Sequence, residues 1–223
     1  VQLSLGRSGF TAVEEADDTH KGSVLTNPFW QNWFVQAGVD MSLQNPYGCN
    51  FSDVFPKGKS FGVDVAVGKW FTPEVALRLK LNWENGLLKN NHLEWIAPGG
   101  RNGINHDEGG YLLATGDVMF NVHNIFCGYD AQRKWCLSVY PRAGLIRNFA
   151  INSASPVVGL GVENSYRLTE SISLYADVDY QVTTSESSAG MTGMGVSAGS
   201  NGFFDLSIGV QIDLGRENSW KVF

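Results

Sequence analysis

The sequence predicts an all-β fold, an eight-stranded antiparallel up-and-down transmembrane β-barrel, and three observations carry that prediction. Apolar and polar residues alternate with a period of two along eight segments between Asn32 and Leu214, as in strands that divide two environments. The polar face is built mainly of Gly, Ser, Asp and Gln. The links between segments tend to alternate between short and long.

Taken in order, the first segment, NWFVQAGVDMSL, sets Trp33, Val35, Ala37, Val39, Met41 and Leu43 against Gln36, Gly38, Asp40 and Ser42. In SFGVDVAVGKWF, Phe61, Val63, Val65 and Val67 oppose Gly62, Asp64, Ala66 and Gly68. EVALRLKLNW places Val75, Leu77, Leu79, Leu81 and Trp83 opposite Ala76, Arg78, Lys80 and Asn82. The fourth segment, from about Tyr111 to Val122, sets Leu112, Ala114, Val118, Phe120 and Val122 against Thr115, Asp117 and Asn121. In the fifth, Leu137, Val139, Ala143 and Leu145 oppose Ser138, Tyr140, Arg142 and Gly144. Pro141 interrupts it, because proline cannot donate a ladder hydrogen bond and a closed barrel has no edge to hold it, so a bulge is expected there. The sixth and seventh set Val158, Leu160, Val162 and Tyr166, then Ile172, Leu174, Ala176, Val178 and Tyr180, against Gly159, Gly161, Glu163, Ser165, Ser173, Tyr175, Asp177 and Asp179. The last, GFFDLSIGVQIDL, opposes Phe204, Leu206, Ile208, Val210, Ile212 and Leu214 to Asp205, Ser207, Gly209 and Gln211.

Alternation alone does not fix which face is wet, since a soluble ligand-binding barrel alternates too, with its apolar face inward. A watery exterior would be rich in Lys, Glu and Thr, whereas small, mutually pairable residues suit the narrow interior of eight strands. The links after the second, fourth and sixth segments tend to be shorter than those after the first, third and seventh, with the link after the fifth only moderate, the parity of membrane barrels with turns on one rim and loops on the other. Trp33, Trp70, Phe71, Trp83, Trp135, Tyr166, Tyr180 and Phe204 fall near segment ends, where amphipathic rings form interfacial girdles.

The formal charge of -6, with scattered Lys and Arg, excludes a nucleic-acid footprint. No stretch reaches the roughly 20 apolar residues of a membrane helix. The start lacks a signal-peptide pattern, so the chain reads as a mature form. Cys49, Cys127 and Cys136 match no zinc or redox spacing. Cys127 and Cys136 flank a turn that a disulfide would staple in an oxidising compartment, weighed evenly against two unpaired thiols. The histidines His20, His92, His106 and His123 are scattered. His106, Asp107 and Glu108 form the one concentration of ligand types, but the calcium-loop order is missing, so a solvated loop is expected and no metal or cofactor is assigned. Residues 1–28, with the acidic run EEADD, read as a polar arm before a barrel over 29–215. Residues 216–223 read as a tail or the start of a linker. The Gly/Ser-rich loop around Met191 and Met194 reads as mobile or as a contact surface.

The stretch GLGVENSYRLTESISLYADVDY, with GKWFTPEVALRLKL before it and FFDLSIGVQIDLG closing the chain, resembles the N-terminal barrel of OmpA-type porin-like proteins. The likeness includes Gly159-x-Gly161-x-Glu163 followed by Tyr166 and Arg167. It implies a bacterial outer membrane, loops extracellular and short turns periplasmic, and a role in envelope integrity, adhesion or small-pore formation. Family members often carry a peptidoglycan-binding periplasmic domain, whereas this chain stops at RENSWKVF, so that part is expected either to be absent or to lie beyond the residues given.

On this reading the polar face is a lumen holding Asp40, Asp64, Asp117, Glu163, Asp177, Asp179 and Asp205 against Arg78, Lys80 and Arg142. Buried charges must pair, so Arg78 and Arg142 are expected to bridge Glu163 and its acidic neighbours and plug the barrel. A gate that opens a small pore is the weaker alternative. No nucleophile or oxyanion site accompanies the carboxylates, so no catalytic residue is assigned. His106 with Asp107 is the sole candidate for a rim-active membrane enzyme. The expected role is structural or interactive, with outer-membrane lipid and other outer-membrane proteins as partners. The main rival is an accessory subunit of a larger secretion or barrel-assembly complex.

Overall fold

The computed structural model describes residues 2–6, 9–13, 29–45, 59–84, 111–148, 153–183 and 201–214. Strands β1 (Gln2–Gly6) and β2 (Gly9–Val13) form an antiparallel hairpin within the segment read from sequence as an arm. The alternating segments become β3 (Trp33–Asn45), β4 (Lys59–Trp70), β5 (Val75–Glu84), β6 (Tyr111–Asn121), β7 (Trp135–Asn148), β8 (Ser153–Arg167), β9 (Ile172–Thr183) and β10 (Asn201–Leu214). Each pairs antiparallel with its chain neighbours, and β10 pairs with β3, which closes the sheet into an eight-stranded barrel without an edge. At 10 to 15 residues each, the strands are long enough to cross a bilayer core, for which about 9–11 tilted residues suffice.

Phase is kept through the whole closure. Trp33 pairs with Lys69 and Leu214, and Leu43 with Lys59 and Phe204, so the first and last strands share one register. Such strict phase matters because a one-residue slip would turn every apolar side chain inward and every charge outward.

The links after β4, β6 and β8, residues 71–74, 122–134 and 168–171, lie on one rim. The other rim carries the two longest links, 85–110 and 184–200, but also 149–152, which is as short as a turn, so the alternation of link lengths expected from sequence is not strict. At the links after β4 and β8, Thr72 and Thr169 accept hydrogen bonds from the backbone N–H groups of Val75 and Ile172 at 3.1 and 3.0 Å. The link after β6 is longer than a turn. It opens with helix α1 (Val122–Cys127), whose N-cap Asn121 accepts a hydrogen bond from the Asn124 N–H at 3.0 Å. That cap satisfies one of the helix's free donors, and it takes Val122, expected to close the fourth strand, into the helix instead.

Pro141 produces no bulge. Asp117 pairs with Arg142 and Phe120 with Val139 in one constant register, and only the two pairs between them are missing. On its other side β7 pairs with β8 without interruption, including Pro141 with Leu160. The missing donor is therefore absorbed as a short gap in one ladder, which costs less than shifting the phase of a strand whose two faces differ so sharply.

Candidate functional site

The strand phase divides the barrel into two environments whose polarity is the reverse of a soluble protein's. Outward residues such as Val39, Leu79 and Leu160 are 64%, 66% and 69% exposed, while Arg78, Glu163 and Asp177 are at most 3% exposed inside. An apolar belt with a charged interior suits hydrocarbon outside and paired polar groups within, so the barrel is built to span a membrane. The outer face also carries an apolar depression of about 450 Å³, lined by Val139, Pro141, Leu160, Tyr180 and Phe204 among others.

Ring residues frame that belt. At the turn-side rim Phe29, Trp30, Phe71, Phe126, Trp135 and Tyr166 are exposed, and at the opposite rim Phe61, Trp83, Tyr180 and Phe204. Trp70 departs from the girdle expected of it: it follows the inward phase and packs against a buried cluster of Phe34, Ala76, Met119 and Tyr140. Lys69, on the outward phase, folds over the rim instead. Its ammonium donates to the carbonyls of Phe29 and Gln31 at 2.8 and 2.5 Å and lies over the rings of Phe29, Trp33 and Phe71. This pins residues 29–31 to the rim.

The lumen is occupied by side chains. Its centre is Arg78 on β5, which reaches carboxylates on three other strands: Asp117 at 2.7 Å, Asp177 at 3.1 Å and Glu163. Arg142 on β7 grips Asp117 from the opposite side, with Nε to Oδ1 at 2.7 Å and Nη2 to Oδ2 at 3.0 Å, and pairs with Asp179. Tyr140 lies between the two guanidiniums, 4.6 and 5.1 Å from its ring centre, and its hydroxyl donates to Asp177. Lys80 completes the group, 3.2 Å from Asp177 and 3.7 Å from Asp64. Planar guanidiniums suit this task because their fixed fork of donors can satisfy several carboxylates at once.

Of the two arginines, only Arg78 contacts Glu163; Arg142 turns to Asp117 and Asp179 instead. Asp64 accepts from the Tyr175 hydroxyl at 2.6 Å. Asp40 has no ion-pair partner among the described residues and accepts instead from Asn82 at 2.6 Å and Ser207 at 3.2 Å. Asp205 accepts from Gln181 at 2.8 Å.

Several contributors were visible in the sequence as polar-face members without an assigned role. Gln36 donates to Glu163 and Gln211 at 2.9 Å each, and Tyr140 and Tyr175 supply hydroxyls to carboxylates. Others carried no polar signal: Tyr111, Leu113, Ile146 and Val157 form a buried apolar cluster on the inward face, toward the rim opposite the turns. The Gly159-x-Gly161-x-Glu163 pattern also acquires a physical reason, since a Cβ at Gly161 would overlap the Tyr140 ring.

Cys127 and Cys136 are unbridged. The first is exposed at the end of α1, and the second is partly covered near the start of β7. His123 is used locally, its Nδ1 accepting from the Leu137 N–H at 3.1 Å beside Trp135. A cavity of about 110 Å³ opens at the turn-side mouth, lined by Asn32, Trp70, Asn121, Arg167, Ser173 and Gln211 among others. Cys49, His20, His92, His106, Asp107, Glu108, Met191 and Met194 lie outside the described residues, as does the tail from 216 to 223.

No family model and no curated sequence matches the chain. Solved structures of similar architecture include Neisserial surface protein A, at 16% identity and a TM-score of 0.47 over 82% of this chain and 97% of that one. OprG from Pseudomonas aeruginosa is similar at 11% identity and a TM-score of 0.43, covering 81% and 94% of the two chains. The attachment invasion locus protein Ail of Yersinia pestis is similar at 10% identity and 0.40, covering 82% and 99%.

Proposed function

We propose that this protein is a non-catalytic barrel of a bacterial outer membrane, with a structural, envelope-integrity or interaction role and a closed lumen. The observation that carries this reading is the ion-pair plug. Arg78, Arg142 and Tyr140 join carboxylates from β6, β8 and β9 across the interior, and apolar clusters border the network. Eight strands enclose a space that side chains can fill, which leaves no continuous path for solutes. With the lumen sealed, interaction with other molecules falls to the loops and the outer belt.

The rim with the links after β4, β6 and β8 then faces the periplasm, and the rim with the two longest links, 85–110 and 184–200, faces the exterior, as in such barrels. Because residues 29–31 are fixed to the turn-side rim, the segment before them starts from the periplasmic side. The apolar depression beside Pro141 favours one further reading, an accessory subunit of a larger outer-membrane complex that docks there.

Conductance of the purified barrel in planar bilayers tests the closed lumen. The expected result is no stable channel in the wild type, and steady conductance would overturn it. Extraction in mild detergent separates the two roles: recovery of the chain alone supports the independent barrel, and a stoichiometric partner supports the subunit.

A further inference from the structure

The charges of the lumen are unevenly distributed. Eight carboxylates, Asp40, Asp64, Glu84, Asp117, Glu163, Asp177, Asp179 and Asp205, share the described interior with Arg78, Lys80 and Arg142, a formal excess of five negative charges. The three cations form ion pairs with Asp64, Asp117, Glu163, Asp177 and Asp179. Asp40 and Asp205 are left without a cation within ion-pair distance among the described residues, and each faces the charge of the other. Both are at most 3% exposed.

Around these two carboxyls the unsatisfied atoms are all oxygens. One oxygen of Asp40 and one of Asp205, the Ser42 hydroxyl, and the amide oxygens of Asn82 and Gln181 are buried without a hydrogen-bond donor. The register brings them together. Ser42 lies directly across from Asp205, and Ser207 across from Asp40, on the same inward face of β3 and β10. Asn82 is held there by its bond to Asp40, and Gln181 by its bond to Asp205. Both amides therefore spend their donors on carboxylates and leave their carbonyl oxygens free at the same place. A buried polar atom without a partner costs about 1–3 kcal/mol. Five such oxygens, two of them on carboxyls that have no ion-pair partner among the described residues, describe an environment suited to a positive ligand.

We propose that this cluster, in the half of the lumen away from the turns, binds a hard divalent cation of the calcium class. Two carboxylates, two amide carbonyls and a hydroxyl give five oxygen donors and two negative charges. Calcium takes six to eight oxygens in flexible geometry, carboxylates and amide carbonyls among them, with water completing the shell. The set is not a preformed group of three acidic or imidazole ligands, and none occurs among the described residues; neutral oxygens supply most of the donors. A bound cation would tie β3, β5, β9 and β10 together across the barrel seam, as Arg78 ties β5, β6, β8 and β9 together lower down. The inference depends on the lumen alone and stands apart from the proposed envelope role.

The experiment uses the full chain folded in detergent, stripped with chelator and titrated with calcium chloride by calorimetry, with terbium luminescence excited through tyrosine as a second readout. The expected result is one saturable site in the wild type, weakened at least about tenfold in Asp205→Asn and in Asp40→Asn, since calcium affinity follows ligand charge. Ser42→Ala, which removes the hydroxyl directly across from Asp205, keeps the fold and weakens binding severalfold. The loop variant Glu108→Gln binds as the wild type does. Absence of saturable binding in the wild type, or binding unchanged in Asp205→Asn and Ser42→Ala, would overturn the proposal. So would loss of binding in Glu108→Gln, which would place the ion on the loop.

Discussion

Arg78 and Leu79 are consecutive residues of one strand, yet the first is sealed among carboxylates while the second is two-thirds exposed on the belt. The same contrast repeats around the barrel: the lumen is held by directional, charge-assisted bonds, the outer face by nothing within the chain. A soluble barrel gains its stability from apolar side chains packed inside. Here that contribution is left to the surrounding hydrocarbon, and the interior is specified by pairing. The lumen should therefore be sensitive to the removal of single partners, and the belt to the introduction of charge.

Removing the hub of the lumen should have the largest effect. Arg78→Ala leaves Asp117, Glu163 and Asp177 short of their cation, and breaking a buried ion pair costs about 3–5 kcal/mol. Denaturant unfolding in detergent should show a loss of that size, and a loss below about 1 kcal/mol would mean that the lumen is wet enough to solvate the acids. Next comes the belt. Leu79→Arg, one residue away, should cost about 2–4 kcal/mol for refolding into lipid bilayers. A neutral result would put this face in contact with water or protein rather than lipid.

Smaller effects sharpen the comparison. Gly161→Ala forces the Tyr140 ring from its place between the two arginines and should destabilise by about 1–3 kcal/mol, as overpacking does. Tyr140→Phe keeps the ring and loses the hydroxyl's bond to Asp177 with its two longer contacts, to Asp179 at 3.4 Å and from Arg142 at 3.5 Å, so a loss nearer 1 kcal/mol is expected. Comparing their unfolding midpoints tests whether Gly161 serves ring clearance. At the rim, Phe126→Ser should weaken bilayer insertion by about 0.5 kcal/mol, the scale for one aromatic leaving the membrane.

Eight strands and their facing were legible in the sequence because period-2 patterning is dictated directly by the pleat, and each strand repeats the same message. Where local chemistry competed with the pattern, the reading failed. Val122 continues the alternation of the fourth strand, but Asn121 caps a helix there, and a six-residue helix is too short to show periodicity of its own. Pro141 forbids one hydrogen bond without saying whether the chain will bulge or leave a gap. That choice is made by the register of both neighbouring strands.

The lumen residues were legible as a set, since charge on the polar face marks the interior. Their partners were not. Arg142 sits across from both Asp117 and Gly159 in its two ladders, and its guanidinium's choice of Asp117 and Asp179 over Glu163 depends on distances across the barrel that no single strand encodes. The inward apolar residues Leu113, Met119 and Ile146 were invisible for a related reason. Hydrophobicity reports that a side chain avoids water, and a sealed lumen and a lipid belt satisfy that equally.

The claim on which everything else rests is that the apolar face meets lipid and the charged face is enclosed. Fractionation followed by gel migration of boiled and unboiled samples tests it most directly. The account predicts recovery only with the membrane and in detergent, with an unboiled band that migrates as a compact species and shifts on boiling. Recovery as a detergent-free soluble protein with a single band position would contradict it and turn the barrel inside out.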